Sequence, residues 1–161
     1  MSNTPSIERV AHVGLFVSDL QRSIAFYRDI LGMQVTDENP EAGMVFMSAH
    51  PDDEHHEVLL ASGRAAPANV KLLQQIAFRC SALADVIEYW KRFKAHGVNI
   101  MYTITHGNAI ACYFQDPDGN QVEVYWPNTA ALDWPQPFGR PVDLLNESDE
   151  SLSPVGGILW S

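Results

Sequence analysis

Only two cysteines occur in 161 residues, Cys80 and Cys112. Neither has a second thiol at the close spacing of a zinc ligand or redox pair, so both are expected as small buried hydrophobes. Basic residues are also scarce: ten Lys plus Arg stand against twenty Asp plus Glu, a formal charge of −10. That balance repels phosphate backbones and anionic lipid, and so argues against nucleic-acid and membrane-surface partners. No apolar run approaches the ~18 residues of a membrane span. Residues Met1 to Glu8 lack the basic and apolar regions of a signal peptide, so the cytoplasm is the expected compartment. What is present is a 46% hydrophobic, 10% aromatic chain, which can bury a core without a disulfide or metal staple.

The chain reads as an internal duplication. Residues Ile7 to Val17 alternate apolar and polar side chains and run into Ser18. A helical stretch follows from Asp19 to Leu31, with Leu20, Ile24, Tyr27 and Leu31 on one face and Gly32 as terminator. Ser18 and Gln21 form an expected capping box. The pattern recurs from Val70 to Cys80, then Ser81, then a helix over Ala82 to His96 with Leu83, Val86, Ile87, Trp90 and Phe93 facing one way, closed by Gly97. Short strand-like runs follow each helix: Met33 to Asp37, Gly43 to Ala49 and His56 to Ala61, then Val98 to Ile104, Ala109 to Gln115 and Gln121 to Trp126. Both halves therefore read β-α-β-β-β, an α+β fold in which two paired modules, about 7–62 and 70–127, form a cup-shaped mixed sheet with helices outside. Domain 1–127 is followed by an irregular tail, 128–161, rich in Pro, Asp, Glu and Ser. Its Trp134, Phe138 and Trp160 suggest packing on the domain or on a partner subunit.

Strand parity turns this pattern into a candidate site, because alternate side chains face opposite sides of a sheet. Ala11, Val13, Leu15 and Val17 form the apolar face expected under a helix, which leaves His12, Gly14 and Phe16 on the other. The same parity sends Gln75, Glu57 and Glu123 away from the helices. Pro51-Asp52 before Glu57-Val58 and Pro117-Asp118 before Glu123-Val124 share a 66-residue offset, so the two glutamates are expected to correspond, and Met47 to correspond to Tyr113. One imidazole, one amide oxygen and two carboxylates suit a divalent cation such as Fe, Mn, Ni or Zn, with positions left for water or substrate.

The runs His12-Val13-Gly14-Leu15-Phe16-Val17, Ser23-Ile24-Ala25-Phe26-Tyr27, Ile76-Ala77-Phe78 and Asp116-Pro117-Asp118-Gly119-Asn120 with Glu123 resemble the vicinal oxygen chelate superfamily. That superfamily includes glyoxalase I, bleomycin- and fosfomycin-resistance proteins and type I extradiol dioxygenases. The segment Ile104-Thr105-His106-Gly107-Asn108 with Tyr113-Phe114 and Glu123 is similar to the extradiol signature, and Cys112 is its one departure, a matter of packing. The resemblance implies an extradiol-type ring-cleaving dioxygenase acting with O2 on a small catecholic aromatic. In that reading His12, Gln75 and Glu123 hold the metal, Fe(II) first with Mn, Ni or Zn as alternatives. His106 acts as acid/base, Tyr113 hydrogen-bonds a substrate oxygen, and His55 and Glu57 contact substrate. Proton transfer near neutral pH is work for an imidazole.

Gln75 stands where the extradiol pattern has a second His, and an amide oxygen is the weaker donor. A glyoxalase I-like arrangement, with His12, Glu57, Gln75 and Glu123 all on one metal, accommodates it and implies an isomerase or lyase. A binding protein without catalysis is the third reading. Dimers are common in this superfamily, and a homodimer is expected.

Overall fold

The computed structural model describes residues 7–106, 109–127 and 140–145. It divides into two compact units, 1–65 and 66–161, each a mixed sheet with one helix. No helix among the described residues is long and apolar enough to cross a membrane.

In the first unit, β1 (Val13–Val17), α1 (Leu20–Ala25), β2 (Gln34–Asn39), β3 (Met44–Ser48) and β4 (Val58–Ser62) build a sheet of order β1-β4-β3-β2, with β1 and β4 parallel. The registers align Val13, Val58 and Met47 in one row and Leu15, Leu60 and Val45 in another. All but Val13 are buried, and together with Tyr27, Ile24 and Leu31 they form the apolar layer of this unit. The expected first strand is longer than the observed one: alternation begins at Ile7, but pairing begins at Val13. Alternation alone does not make a strand without a neighbour to bond. Ser18 is not the helix cap; Asp19 accepts from the Arg22 amide at 3.0 Å, one residue further on. The helix then widens into a π-helical stretch over Phe26–Ile30, where the Leu31 amide reaches back to the Phe26 carbonyl at 3.3 Å. The widened turn lets Tyr27, Ile30 and Leu31 all be buried.

The second unit repeats the plan. Strands β5 (Ile76–Arg79), β6 (Ile100–Thr105), β7 (Ala109–Gln115) and β8 (Gln121–Pro127), with α2 (Leu83–Ala95), give the order β5-β8-β7-β6, again with the first and last strands of the module parallel. Phe93 of α2 meets Phe114 of β7 with ring centroids 4.2 Å apart, over a face that also buries Cys112, Val122 and Val124. Burial pushes the Cys80 thiol up to about 11 and the Cys112 thiol to about 12, as inert hydrophobic cysteines require. From the C-terminal segment, β9 (Arg140–Pro141) pairs antiparallel with β6, and Val142 and Leu144 are buried. Trp134, Phe138 and Trp160 lie outside the described residues.

The turn that launches β8 is held by one carboxylate. Asp116 accepts from the amides of Asp118 at 2.9 Å and Asn120 at 2.8 Å, and from the Asn120 side chain at 2.8 Å. Gly119 within it has φ +77°, and a Cβ there would lie 2.9 Å from the Ala68 carbonyl oxygen. Both the backbone conformation and the space exclude a side chain, so Gly119→Ala should cost about 1–3 kcal/mol of stability. Chemical denaturation of the two proteins side by side checks this.

Candidate functional site

The face of the second sheet opposite α2 carries three of the expected site residues, Gln75, Tyr113 and Glu123. The parallel register pairs Ala77 with Glu123, the antiparallel one pairs Tyr113 with Glu123, and Tyr102 pairs with Tyr113, so all four share that face. Gln75 immediately precedes β5 on the same parity. Its amide nitrogen donates to Glu123 Oε2 at 3.0 Å, and its oxygen accepts from Gln121 Nε2 at 3.3 Å. The Tyr113 hydroxyl bonds the Glu123 carboxylate and the Gln75 amide, and its ring lies against Tyr102 at 4.6 Å. Tyr102 and Gln121 were not singled out from sequence; their parity with Tyr113 and Glu123 was the available signal.

Glu123 is 6% exposed. Burial pushes its pKa up, and the Tyr113 hydroxyl, His106 and Gln75 pull the other way without restoring the ordinary value. Burial, reinforced by the Glu123 charge, likewise raises the Tyr113 phenol well above its usual range, so it stays protonated and able to donate. His106, half-buried after the end of β6, is a basic side chain set near Glu123. Its backbone amide donates to the Ala109 carbonyl at 2.8 Å, which fixes it at the base of the β6–β7 hairpin.

The corresponding face of the first unit differs, and register explains why. Gly14 pairs with Leu59, and Leu59 with Phe46, just as Ala77 pairs with Glu123 and Glu123 with Tyr113. The counterpart of Glu123 is therefore Leu59, and that of Tyr113 is Phe46. This corrects the expected matches to Glu57 and Met47. The 66-residue offset of the Pro-Asp turns overstates the spacing of the paired strands by two residues, which preserves parity and so hides the slip. Met47 faces the buried layer.

Glu57 instead closes the β3–β4 loop. Its Oε2 accepts from the Ala49 amide at 2.9 Å, its Oε1 meets His50 Nδ1 at 2.9 Å, and Ser48 adds a third bond. Partial burial raises its pKa, but these donors outweigh it and the net shift is downward. A depressed carboxylate adds stability above its unfolded pKa that is lost as pH falls through the folded one. Glu57→Gln should therefore destabilise the protein near neutral pH by about 0.5–1.5 kcal/mol, with the gap to the native chain closing under acid conditions. Melting curves over a pH series measure this.

Three histidines of the first unit, His50, His55 and His56, lie on that same loop, and His12, just before β1, packs against it. The His12 and His56 rings lie 4.3 Å apart, His55 Nδ1 is 2.8 Å from His56 Nδ1, and Phe46 packs on His55 and His56 at 5.4 and 5.0 Å. His55 Nε2 faces the Asp37 carboxylate at 3.6 Å. Of the residues expected at the site, the structure thus brings Gln75, Tyr113 and Glu123 into contact with His106 nearby, and sets His12 and His55 around His56, with Glu57 turned to its own loop.

Comparison with known proteins identifies the family. The family model described as the Glyoxalase/Bleomycin resistance protein/Dioxygenase superfamily matches residues 9–124. Biphenyl-2,3-diol 1,2-dioxygenase 3 of Rhodococcus globerulus is 34% identical over 136 residues, 81% of this chain and 67% of the relative. The manganese-dependent 2,3-dihydroxybiphenyl 1,2-dioxygenase of Geobacillus genomosp. 3 is 29% identical over 76% of this chain, which spans only 38% of that protein. Among solved structures, lactoylglutathione lyase from Agrobacterium tumefaciens superposes with a TM-score of 0.62 at 23% identity, covering 80% of this chain and 100% of the other, which shows a shared fold. With the duplicated β-α-β-β-β plan, the Asp-Pro-Asp-Gly-Asn turn and the buried Glu beside its Tyr all in place, the chain belongs to the glyoxalase/bleomycin resistance/dioxygenase superfamily.

Proposed function

We propose that this chain is a divalent-metal-dependent, extradiol-type ring-cleaving dioxygenase acting on a catecholic aromatic with O2. The observation that carries the reading is Glu123: a buried carboxylate met by two neutral donors, Tyr113 and Gln75, with His106 beside it and no Lys or Arg against it among the described residues. An anion kept out of water without a fixed counter-charge is a fit for a cation. Glu123 would supply its carboxylate donor, and the family resemblance adds His12 as an imidazole donor. Gln75, whose amide nitrogen already holds Glu123, would orient that carboxylate. Fe(II) or Mn(II) suits oxygen and nitrogen donors with positions left open. When bound, the metal supplies a chelation point for both catechol oxygens and a place for O2.

The protein's own groups then handle protons and orientation. His106 accepts a proton from a catechol hydroxyl and later returns one to the ring-opened product. Tyr113 stays protonated, and its single O–H, held by Glu123 in the absence of substrate, would turn to a substrate oxygen on binding, with the Tyr102 ring bracing it.

The glyoxalase-type alternative needs Glu57 as a metal donor. The register places Leu59 at the position of Glu123, and the Glu57 carboxylate is engaged by Ala49, His50 and Ser48. The dioxygenase reading is therefore preferred. Its test is O2 consumption with a panel of catechols after anaerobic loading with Fe(II) or Mn(II). Uptake that depends on both metal and catechol is the expected result, and no uptake with either metal sinks it.

A further inference from the structure

We propose that Tyr102 is a specificity-determining residue whose ring is the packing surface for the aromatic ring of the substrate, with its hydroxyl playing no part. The inference rests on the dioxygenase reading above and adds a substrate contact to it that lies wholly within the second unit.

Three observations carry it. First, Tyr102 reaches the site through a backbone irregularity. Strands β6 and β7 pair at Ile100 and Phe114 and again at Tyr102 and Tyr113, which leaves Met101 as an extra residue between them. Regular pairing onward from Ile100 would set Met101 against Tyr113 and turn Tyr102, with Cys112, into the layer under the helix. The bulge turns Tyr102 to the face of Glu123 instead, and bulges recur beside active sites because they re-aim a side chain in this way.

Second, the first unit keeps the bulge but not the ring. Its register slips between Val35 and Asp37, which sets Asp37 opposite Phe46, the counterpart of Tyr113. Asp37 therefore holds the place of Tyr102, and the extra residue, Thr36, bonds the Phe46 and His55 carbonyls at 3.2 and 2.5 Å. The shared backbone plan does not require an aromatic side chain at this place.

Third, the ring is held but not covered. The Tyr102 and Tyr113 rings are 4.6 Å apart and inclined by 31°, yet Tyr113 is 7% exposed and Tyr102 43%. Ala77, Glu123, Tyr113 and Tyr102 form one row across neighbouring strands. Tyr102 thus stands two strand spacings, roughly 10 Å, from Glu123, and Ala77 at the other end of the row is too small to fill the space above the carboxylate. A six-membered ring with its two oxygens at Glu123 and the Tyr113 hydroxyl lies beside the Tyr102 ring and extends the aromatic pair.

The test is anaerobic calorimetry of the full chain loaded with Mn(II) or Fe(II), using catechol and acetohydroxamate as probes. Both present two adjacent oxygens to a cation, and only catechol has a ring. Tyr102→Leu should bind catechol roughly three- to ten-fold more weakly, the worth of one aromatic pair, with acetohydroxamate within about two-fold of native. Tyr102→Phe should bind both probes as the native chain does. Tyr102→Thr, suited to a strand, serves as the second ring-less variant, and circular dichroism verifies the folds. In air, Tyr102→Leu should raise KM for catechol by the same factor and leave kcat within about two-fold, the mark of a lost binding contact. An equal loss for both probes in Tyr102→Leu overturns the inference, because the residue would then act through Tyr113. So does a loss of catechol affinity in Tyr102→Phe, which would assign the effect to the hydroxyl. Native catechol affinity in a folded ring-less variant overturns it and leaves the dioxygenase reading intact. Weakening selective for catechol in a chain that consumes no O2 supports the inference and removes the dioxygenase reading. A native chain that does not bind catechol overturns both.

Discussion

Replacing Glu123 with glutamine should raise the melting temperature of the metal-free protein and, in the same step, weaken its stabilisation by added Mn(II). The two effects share one cause. Glu123 is 6% exposed, and burial holds its pKa above the usual carboxylate range. A group with a raised folded pKa contributes stability below its unfolded pKa, near 4.3, and loses that contribution as pH rises through the folded value. At neutral pH the native chain therefore carries an uncompensated cost that an uncharged amide of the same shape avoids. The glutamine oxygen can still accept from Tyr113 or Gln75. A gain on the order of 1 kcal/mol shifts the midpoint by about 2–4 °C in a chain of this size. Lowering the pH until Glu123 is protonated should erase the difference. Added Mn(II) should stabilise the native chain by mass action and the variant far less. Thermal melts with and without Mn(II) across a pH series give both readings. A variant that melts lower than the native protein when metal-free would mean that Glu123 is a structural acceptor and nothing more.

His106→Ala should lower the rate of catechol cleavage by about 10²–10⁴-fold, the usual worth of a positioned acid/base, while leaving bound metal and melting temperature close to native. His106 lies at the base of a hairpin, half-buried and near Glu123. Removing its ring therefore leaves both the sheet and the carboxylate in place. Steady-state O2 uptake with metal content measured on the same samples separates the two roles. A rate loss matched by metal loss points to metal retention, and a rate loss at full occupancy points to proton transfer. Tyr113→Phe makes a useful contrast. It removes a hydroxyl that Glu123 also uses, so it should lower the rate and weaken the metal together.

Much of the second unit was legible in the chain. Strand β7 has the expected bounds, β8 runs one residue further, and parity put Gln75 and Glu123 on one face, where they meet at 3.0 Å. Such features depend on period-two alternation and on turns whose residues allow little choice, like Asp116 to Asn120. The first unit was less legible. Its histidines cluster because the β3–β4 loop brings His55 and His56 to the start of β1, a contact between positions more than forty apart that no local pattern encodes.

By itself, the sequence determined the duplicated β-α-β-β-β plan, the buried cysteines and which side of each strand is polar, because alternation and helix termination are properties of neighbouring residues. The tertiary structure alone decided which residue sits across from which. A two-residue slip leaves every side chain on the same face, so parity could not distinguish Glu57 from Leu59 as the residue holding, in its own sheet, the position that Glu123 holds in the other. Only the hydrogen-bond register between β1 and β4 resolves it. The same register turned Glu57 toward its own loop, and the loop it closes is the one that carries His55 and His56 to His12.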